Sequence, residues 1–222
     1  MQYIEKSAQE PEDWNDWFTT EIRTHVYNNA GGIGRQNAKA YLLEEQHGLC
    51  AYCQSPLEEN DSSIEHVVPN KQNLNVSTLY HNLVAVCKAP PKDSEGRSHC
   101  DKERGDKLLP PLIFYKKAQV TTETDHGFFG ADNLGKVFSR NGLDEQTKKQ
   151  VDAFIDILNL NHNSLVSKRE ALWKAIWNLT NKLNLSLPQR KSFLQNKFNE
   201  LLEQKDQPYR QYLTILIKQK LN

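Results

Sequence analysis

Cys50-Ala51-Tyr52-Cys53 opens a stretch that runs through Glu65-His66-Val67-Val68-Pro69 and Asn82-Leu83 to Cys87, and ends at His99-Cys100-Asp101. All four cysteines of the 222-residue chain fall inside it, and they bracket a Glu-His pair. A Cys-x2-Cys turn brings two thiolates to one side of the backbone, on adjacent corners of a tetrahedron. Cys87 and Cys100, with 12 residues between them, supply the other two corners. Four thiolates saturate a Zn²⁺ ion and leave no open position, so the role expected of that ion is structural. Such binding is coupled to folding and carries about 10–16 kcal/mol of apparent free energy. That suits a stretch with little apolar periodicity of its own. Two other readings compete: a redox pair at Cys50 and Cys53, and four unrelated buried thiols. A redox pair has no need of two further cysteines.

Between the cysteine pairs, Glu65-His66 suggests hydrolysis. Cleaving a phosphodiester needs a base for water, a cation against the charge that builds at phosphorus and the leaving oxygen, and a brace for the base. His66 is the natural base, with an unperturbed pKa of about 6.5. Glu65 is a hard oxygen ligand suited to Mg²⁺ or Mn²⁺. Asp101, beside the last cysteine, is placed to give a second oxygen ligand. Neighbours on a strand point to opposite faces, so Glu65 and His66 share one site only where the backbone is irregular. Pro69 and the cysteine loops allow that.

Cys-x2-Cys, Glu-His-Val-x-Pro, Asn-Leu-x3-Cys and Cys-Asp-x2-Arg-Gly, in this order, resemble the HNH endonuclease motif and its ββα-metal fold. The resemblance covers about residues 50–107. It implies His66 as general base, Glu65 as a ligand of the catalytic cation, and Asn82 as the brace of the loop that bears His66. Asp101 falls where that family usually has Asn or His, and Arg104 where it usually has Lys. The loop between Cys87 and Cys100 is longer than the family's common two residues. The second metal ligand is therefore open between Asp101 and His99. Lys102, Arg104 and Lys107 are candidate phosphate contacts by location, and His81 by its place next to Asn82. A broader likeness, carried by Met1-Gln2-Tyr3-Ile4-Glu5-Lys6, Glu10-Pro11, His99-Cys100, and Leu158-Asn159-Leu160-Asn161 with Arg169, is to the PtuB family. These are HNH nucleases of Septu and of some retron antiphage systems. The likeness implies an ATPase partner, PtuA, and a toxic nuclease held in check until infection.

Outward from the motif, the sequence divides into an N-terminal helical platform (1–48), the HNH-like module (49–117), a small β and turn segment (118–143) and a helical region (144–222). The expected class is α+β, mostly helical. A first helix is expected from Pro11 through Trp14, Trp17, Phe18, Ile22 and Val26, with the two tryptophans as core anchors. A second is expected over about Arg35 to His47. Ile64 to Val68 reads as a short strand, and Leu79 to Val86 as a helix carrying Asn82. One strand pair is expected between 118 and 142. Helices then open at Asp144, Ser164, Pro188 and Pro208, and Trp173 and Trp177 stand four apart on one of them.

Hydrophobic residues make up 37% of the chain and charged ones 25%, the balance of a globular protein. No run reaches the ~20 apolar residues of a membrane helix. The start has neither the basic residues nor the apolar run of a secretory signal, so a cytoplasmic location is expected. Net charge is zero, which argues against gripping nucleic acid by bulk charge. Residues 1–144 hold 15 Lys/Arg against 21 Asp/Glu, and 145–222 hold 13 against 7. The basic third is either an ordinary solvated surface or a face for nucleic acid or an acidic partner. Against catalysis stand a zinc-stapled binding module and an assembly subunit. A zinc module that only binds has no need of a Glu-His pair between its ligands.

Overall fold

The computed structural model describes residues 3–14, 33–69, 76 and 79–221. It is an α+β protein in which short strands and loops sit among longer helices. Most of the helix expected from Pro11, including Trp17, Phe18, Ile22 and Val26, lies outside the described residues. Trp14 is fully buried, its ring edge-on to Tyr80 at 5.2 Å and to Tyr41 at 6.3 Å, as a core anchor should be.

Helix α1 (Ile33–Glu45) ends at Gly48, whose φ of +69° continues the left-handed exit begun at His47. The N–H of Gly48 returns to Leu43 O at 2.8 Å. From there the chain enters the cysteine knuckle, closed by Cys50 N to Ser55 O (2.9 Å) and Gln54 N to Cys50 O (3.0 Å). Strands β1 (Ser62–His66) and β2 (Leu83–Cys87) pair antiparallel, with Glu65 opposite Val84 and His66 opposite Leu83. The other edge of β2 is closed from within. The buried Gln46 side chain accepts from Ala85 N and donates to Ala85 O, both at 2.8 Å, and the Ala51 N–H also reaches Ala85 O. This leaves no bare strand edge there.

The helix expected over Leu79 to Val86 does not form. A 3₁₀ turn, Tyr80–Asn82, leads into β2. Leu83 to Cys87 is buried throughout, and a continuous short apolar run does not reveal its period. The partner strand decides it, helped by β-branched Val84 and Val86. After β2 a polar loop leads to the one-turn helix α2 (Asp101–Arg104), completing a β-β-α order.

Strands β3 (Phe129–Ala131) and β4 (Val137–Ser139) form the expected second hairpin. A Cβ at Gly135, between them, would collide with the backbone of Val166. Helix α3 (Glu145–Ile157) starts at Asp144, whose carboxylate accepts from Thr147 N at 2.9 Å. Helix α4 (Asn163–Lys182) starts two residues earlier than expected: His162 caps it, its Nδ1 accepting from Ser164 N. The rings of Trp173 and Trp177 stack on this helix, 5.6 Å apart. Helix α5 (Leu187–Glu203) carries Pro188 in its first turn, and Ser186 ahead of it bonds Gln189. Helix α6 (Arg210–Leu221) follows Pro208 and is buried along most of its length.

The Leu158-Asn159-Leu160-Asn161 turn joins these parts. Leu158 O accepts from Cys100 N (2.9 Å), and Asn159 Nδ2 donates to Ser98 O (2.7 Å). Leu160 O accepts from the buried Arg169, and the Asn161 amide pairs with both backbone groups of Val137. One turn thus holds the last cysteine, α4 and β4. The apolar core is a single cluster running from Ile4 to Ile217.

Candidate active site

The cysteine knuckle, the end of β2 and the entry to α2 bring four buried thiols together, with all sulfurs within 4.8 Å of one another. Cys50 and Cys100 are 3.8 Å apart and Cys53 and Cys87 3.6 Å. Both are far beyond a disulfide, which is about 2.05 Å. They match the tetrahedron edge of about 3.8 Å that Zn–S bonds of ~2.3 Å produce. The donor set and the spacing fit a tetrahedral ion such as zinc. Ser55 supports Cys53 through its N–H at 3.5 Å, and His99 Nδ1 lies 3.2 Å from Cys100 Sγ.

Cys100 takes a left-handed φ of 59° and turns the chain straight into α2. That swings Asp101 away from the sulfurs and into an open cleft of about 470 Å³. Glu65, His66, Asp101, Lys102 and Arg35 line this cleft. Glu65 and Asp101, distant in sequence, line the same cleft, and the charge of each is felt by the other. Burial and the charge of Asp101 push the Glu65 carboxyl up to about 7, against the pull of Arg104. Burial, with the charges of Arg104 and Arg35, brings His66 down to about 4, while Asp101 opposes. The His66 imidazole is therefore neutral at physiological pH and able to take a proton.

Two residues shape the backbone that carries Glu65 and His66. Asn82 receives Val68 N on its Oδ1 (2.7 Å) and gives its Nδ2 to Val68 O (3.1 Å), while Val67 N reaches the Asn82 carbonyl (2.9 Å). It stands where a brace of the His66 loop is needed. Arg104 approaches from the other side. Its Nη1 contacts Glu65 Oε1, Tyr52 OH (3.1 Å) and His66 O (2.7 Å), and its Nη2 contacts Val67 O (2.6 Å). These bonds hold the backbone at the end of β1, where Glu65 and His66 both line the cleft.

No protein-family model matches this chain, and no curated protein is similar to it. The reading of the site rests on its own geometry.

That geometry sorts the candidates. His99 is buried beside Cys100 and against the His162 ring (5.4 Å), and it does not line the cleft. Asp101 does, so of the two residues left open by the sequence only Asp101 shares the cleft with Glu65 and His66 among the described residues. Arg104 is corrected. It is 1% exposed and bonded throughout to the protein, a buried clamp with no donor turned to solvent. Lys102 is exposed on the cleft wall, 3.8 Å from Asp101. Lys107 and His81 are exposed but line no part of it. Sequence reading passed over Arg35, Tyr52 and Asp106. Tyr52, inside the knuckle, donates to Glu65 at 3.3 Å, while Arg35 and Asp106 stand on the cleft wall. Arg35 and Lys39 at i and i+4 on an expected helix were the one available signal.

Proposed function

We propose that this chain is a metal-dependent endonuclease of the HNH type, with a ββα-metal centre stapled by a structural zinc on Cys50, Cys53, Cys87 and Cys100. The observation that carries the reading is the meeting of Glu65 and Asp101 in an open cleft beside a neutral His66. Glu65 and Asp101 repel one another across one cleft, and a divalent cation between them would offset that repulsion. Glu65 and Asp101 would hold Mg²⁺ or Mn²⁺, which when bound offsets the charge that develops at phosphorus and the leaving oxygen.

His66 accepts a proton from water as the water oxygen forms its bond to phosphorus and the bond to the leaving oxygen breaks. Asn82 fixes the loop, so the imidazole reaches the water at a constant place. Arg104 orients Glu65 without entering the reaction. Lys102, exposed on the cleft wall, is a cation the module offers a substrate phosphate. DNA is the favoured polymer on the resemblance, with RNA the alternative. Zero net charge fits a nuclease brought to its substrate by a partner, and the same resemblance makes that partner an ATPase of an antiphage complex.

The test is a matched cleavage assay of wild type, His66→Ala and Asp101→Asn. Each is given DNA and RNA with Mg²⁺ or Mn²⁺ at low salt, with and without the ATPase. Metal-dependent cutting that both substitutions abolish, with zinc content unchanged, is the expected result. A folded, zinc-loaded wild type that cuts neither polymer under any condition would replace this reading with a binding or assembly module.

A further inference from the structure

The cleft at Glu65 and His66 does not end at Arg35. A second depression, of about 300 Å³, continues from it along the outer side of β1 and shares Arg35, Ser63 and Ile64 with the first. Its remaining walls include Lys39 from α1 and Lys88 from the residue after β2. The two halves differ in charge. Glu65, Asp101 and Asp106 line the first, whereas among the described residues no carboxylate lines the second. In a chain whose charges sum to zero, a groove walled by Arg35, Lys39 and Lys88 is a local concentration of cations.

The spacing suits a strand. Arg35 and Lys39 are one helical turn apart on α1, about 6 Å along its axis. That is on the order of the separation between neighbouring phosphates of one strand. Lys88 stands across β1, next to the Ser62–Cys87 pair. The lysines are held in place by backbone carbonyls, Lys39 Nζ on Glu59 O (2.6 Å) and Lys88 Nζ on Asn60 O (3.2 Å), leaving further N–H donors on each. Beneath them Ser63 Oγ is buried with no hydrogen-bond partner among the described residues. Arg104, by contrast, has its donors filled by protein acceptors.

We infer that this second groove is the track for the nucleic-acid backbone. Arg35 takes the phosphate next to the scissile one, and Lys39 and Lys88 take those beyond it. The inference rests on the nuclease reading and adds to it the direction in which the polymer leaves the reacting centre. The residues concerned lie on α1 and at the β2 exit rather than on the basic C-terminal helices.

The experiment has two arms. In the first, the His66→Ala protein is titrated with labelled DNA and RNA oligonucleotides between about 50 and 200 mM salt. The same is done after adding Lys39→Glu with Lys88→Glu, and separately Lys191→Glu with Lys220→Glu on the C-terminal helices. The groove pair is expected to weaken binding about tenfold or more and to reduce the slope of log affinity against log salt by about 1.4–1.8. The C-terminal pair should leave both unchanged. In the second arm, Arg35→Gln in the otherwise wild-type chain should raise KM more than it lowers kcat. Near-UV circular dichroism and zinc content show that each variant is folded.

A wild type that cuts, with groove variants that bind and cut as it does, overturns the track and leaves the nuclease standing. A larger loss from the C-terminal pair overturns it too and moves the polymer to that face. A wild type that neither binds nor cuts any polymer overturns both.

Discussion

Arg104 turns a row of backbone groups into a site. Its guanidinium is buried and reaches Lys107 O through Nε, Tyr52 OH, Glu65 and His66 O through Nη1, and Val67 O through Nη2. A planar fork can satisfy acceptors on both sides of one turn, and an ammonium cannot. Removing one partner of a buried ion pair leaves the other uncompensated and costs about 3–5 kcal/mol. Arg104→Met is therefore expected to lower the unfolding free energy measured in urea by that order, and with it the midpoint, and Arg104→Lys to restore little of it. A midpoint within the small range of an ordinary surface substitution would show that the guanidinium is not holding the loop. The sequence announced an arginine next to a metal motif, and phosphate contact was the natural reading. Burial is a property of the assembled fold, and nothing in the letters around position 104 carries it. His66, Asn82 and Asp101 were picked out by side-chain chemistry and order along the chain, and the fold brings His66 and Asp101 to one cleft with Asn82 bonded to the loop behind them.

At the scale of elements, legibility followed the strength of the period. The helices from Asp144 onward were readable because their apolar residues recur over several turns and their openings carry Asp144, Pro188 and Pro208. Strand β2 was not, since five buried residues show no alternation and its identity comes from pairing with β1 and from the Gln46 amide. The β1–β2 hairpin is also short, and an isolated pair of strands is marginal in water. Its ends are tied instead by sulfur: Cys87 closes β2 and Cys100 opens α2. If zinc fills the four thiols as proposed, its removal is expected to loosen the hairpin and α2 before it touches α3 to α6. With a strong chelator at neutral pH, hydrogen exchange is expected to rise first at Val84 to Val86 and at Arg104. Protection at Phe154, Leu158 and Leu216 should persist longer. Uniform loss across the chain would mean that the metal supports the whole core rather than this element, and no change would mean that the thiols hold the hairpin without it.

For the whole molecule, the C-terminal helices complete the module as well as flanking it. Tyr209 N donates to Gln54 O (3.1 Å) and its hydroxyl pairs with Ser55 Oγ (2.8 Å), both inside the cysteine knuckle. Gln211 N reaches Gln54 Oε1 (3.0 Å), and the Phe154 ring meets Tyr52 at 6.2 Å. On the opposite flank Leu158 O and Asn159 hold Cys100 and Ser98. Phe154, Leu158, Asn159, Tyr209 and Gln211 thus hold the cysteine loops from beyond residue 150, and Leu158 and Leu216 are fully buried. A chain cut after residue 143 would keep every cysteine, Glu65, His66, Asn82 and Asp101, yet expose the face of Tyr52 and leave Gln54 O and Cys100 N to water. Such a fragment is expected to bind zinc more weakly than the full chain in a competition against a chromophoric chelator. It should also unfold without the sharp transition of a packed core. Equal zinc affinity and a cooperative melt in the fragment would show that the module folds alone. The contacts from Leu158 and Tyr209 would then be a docking of finished parts rather than a condition for forming the site.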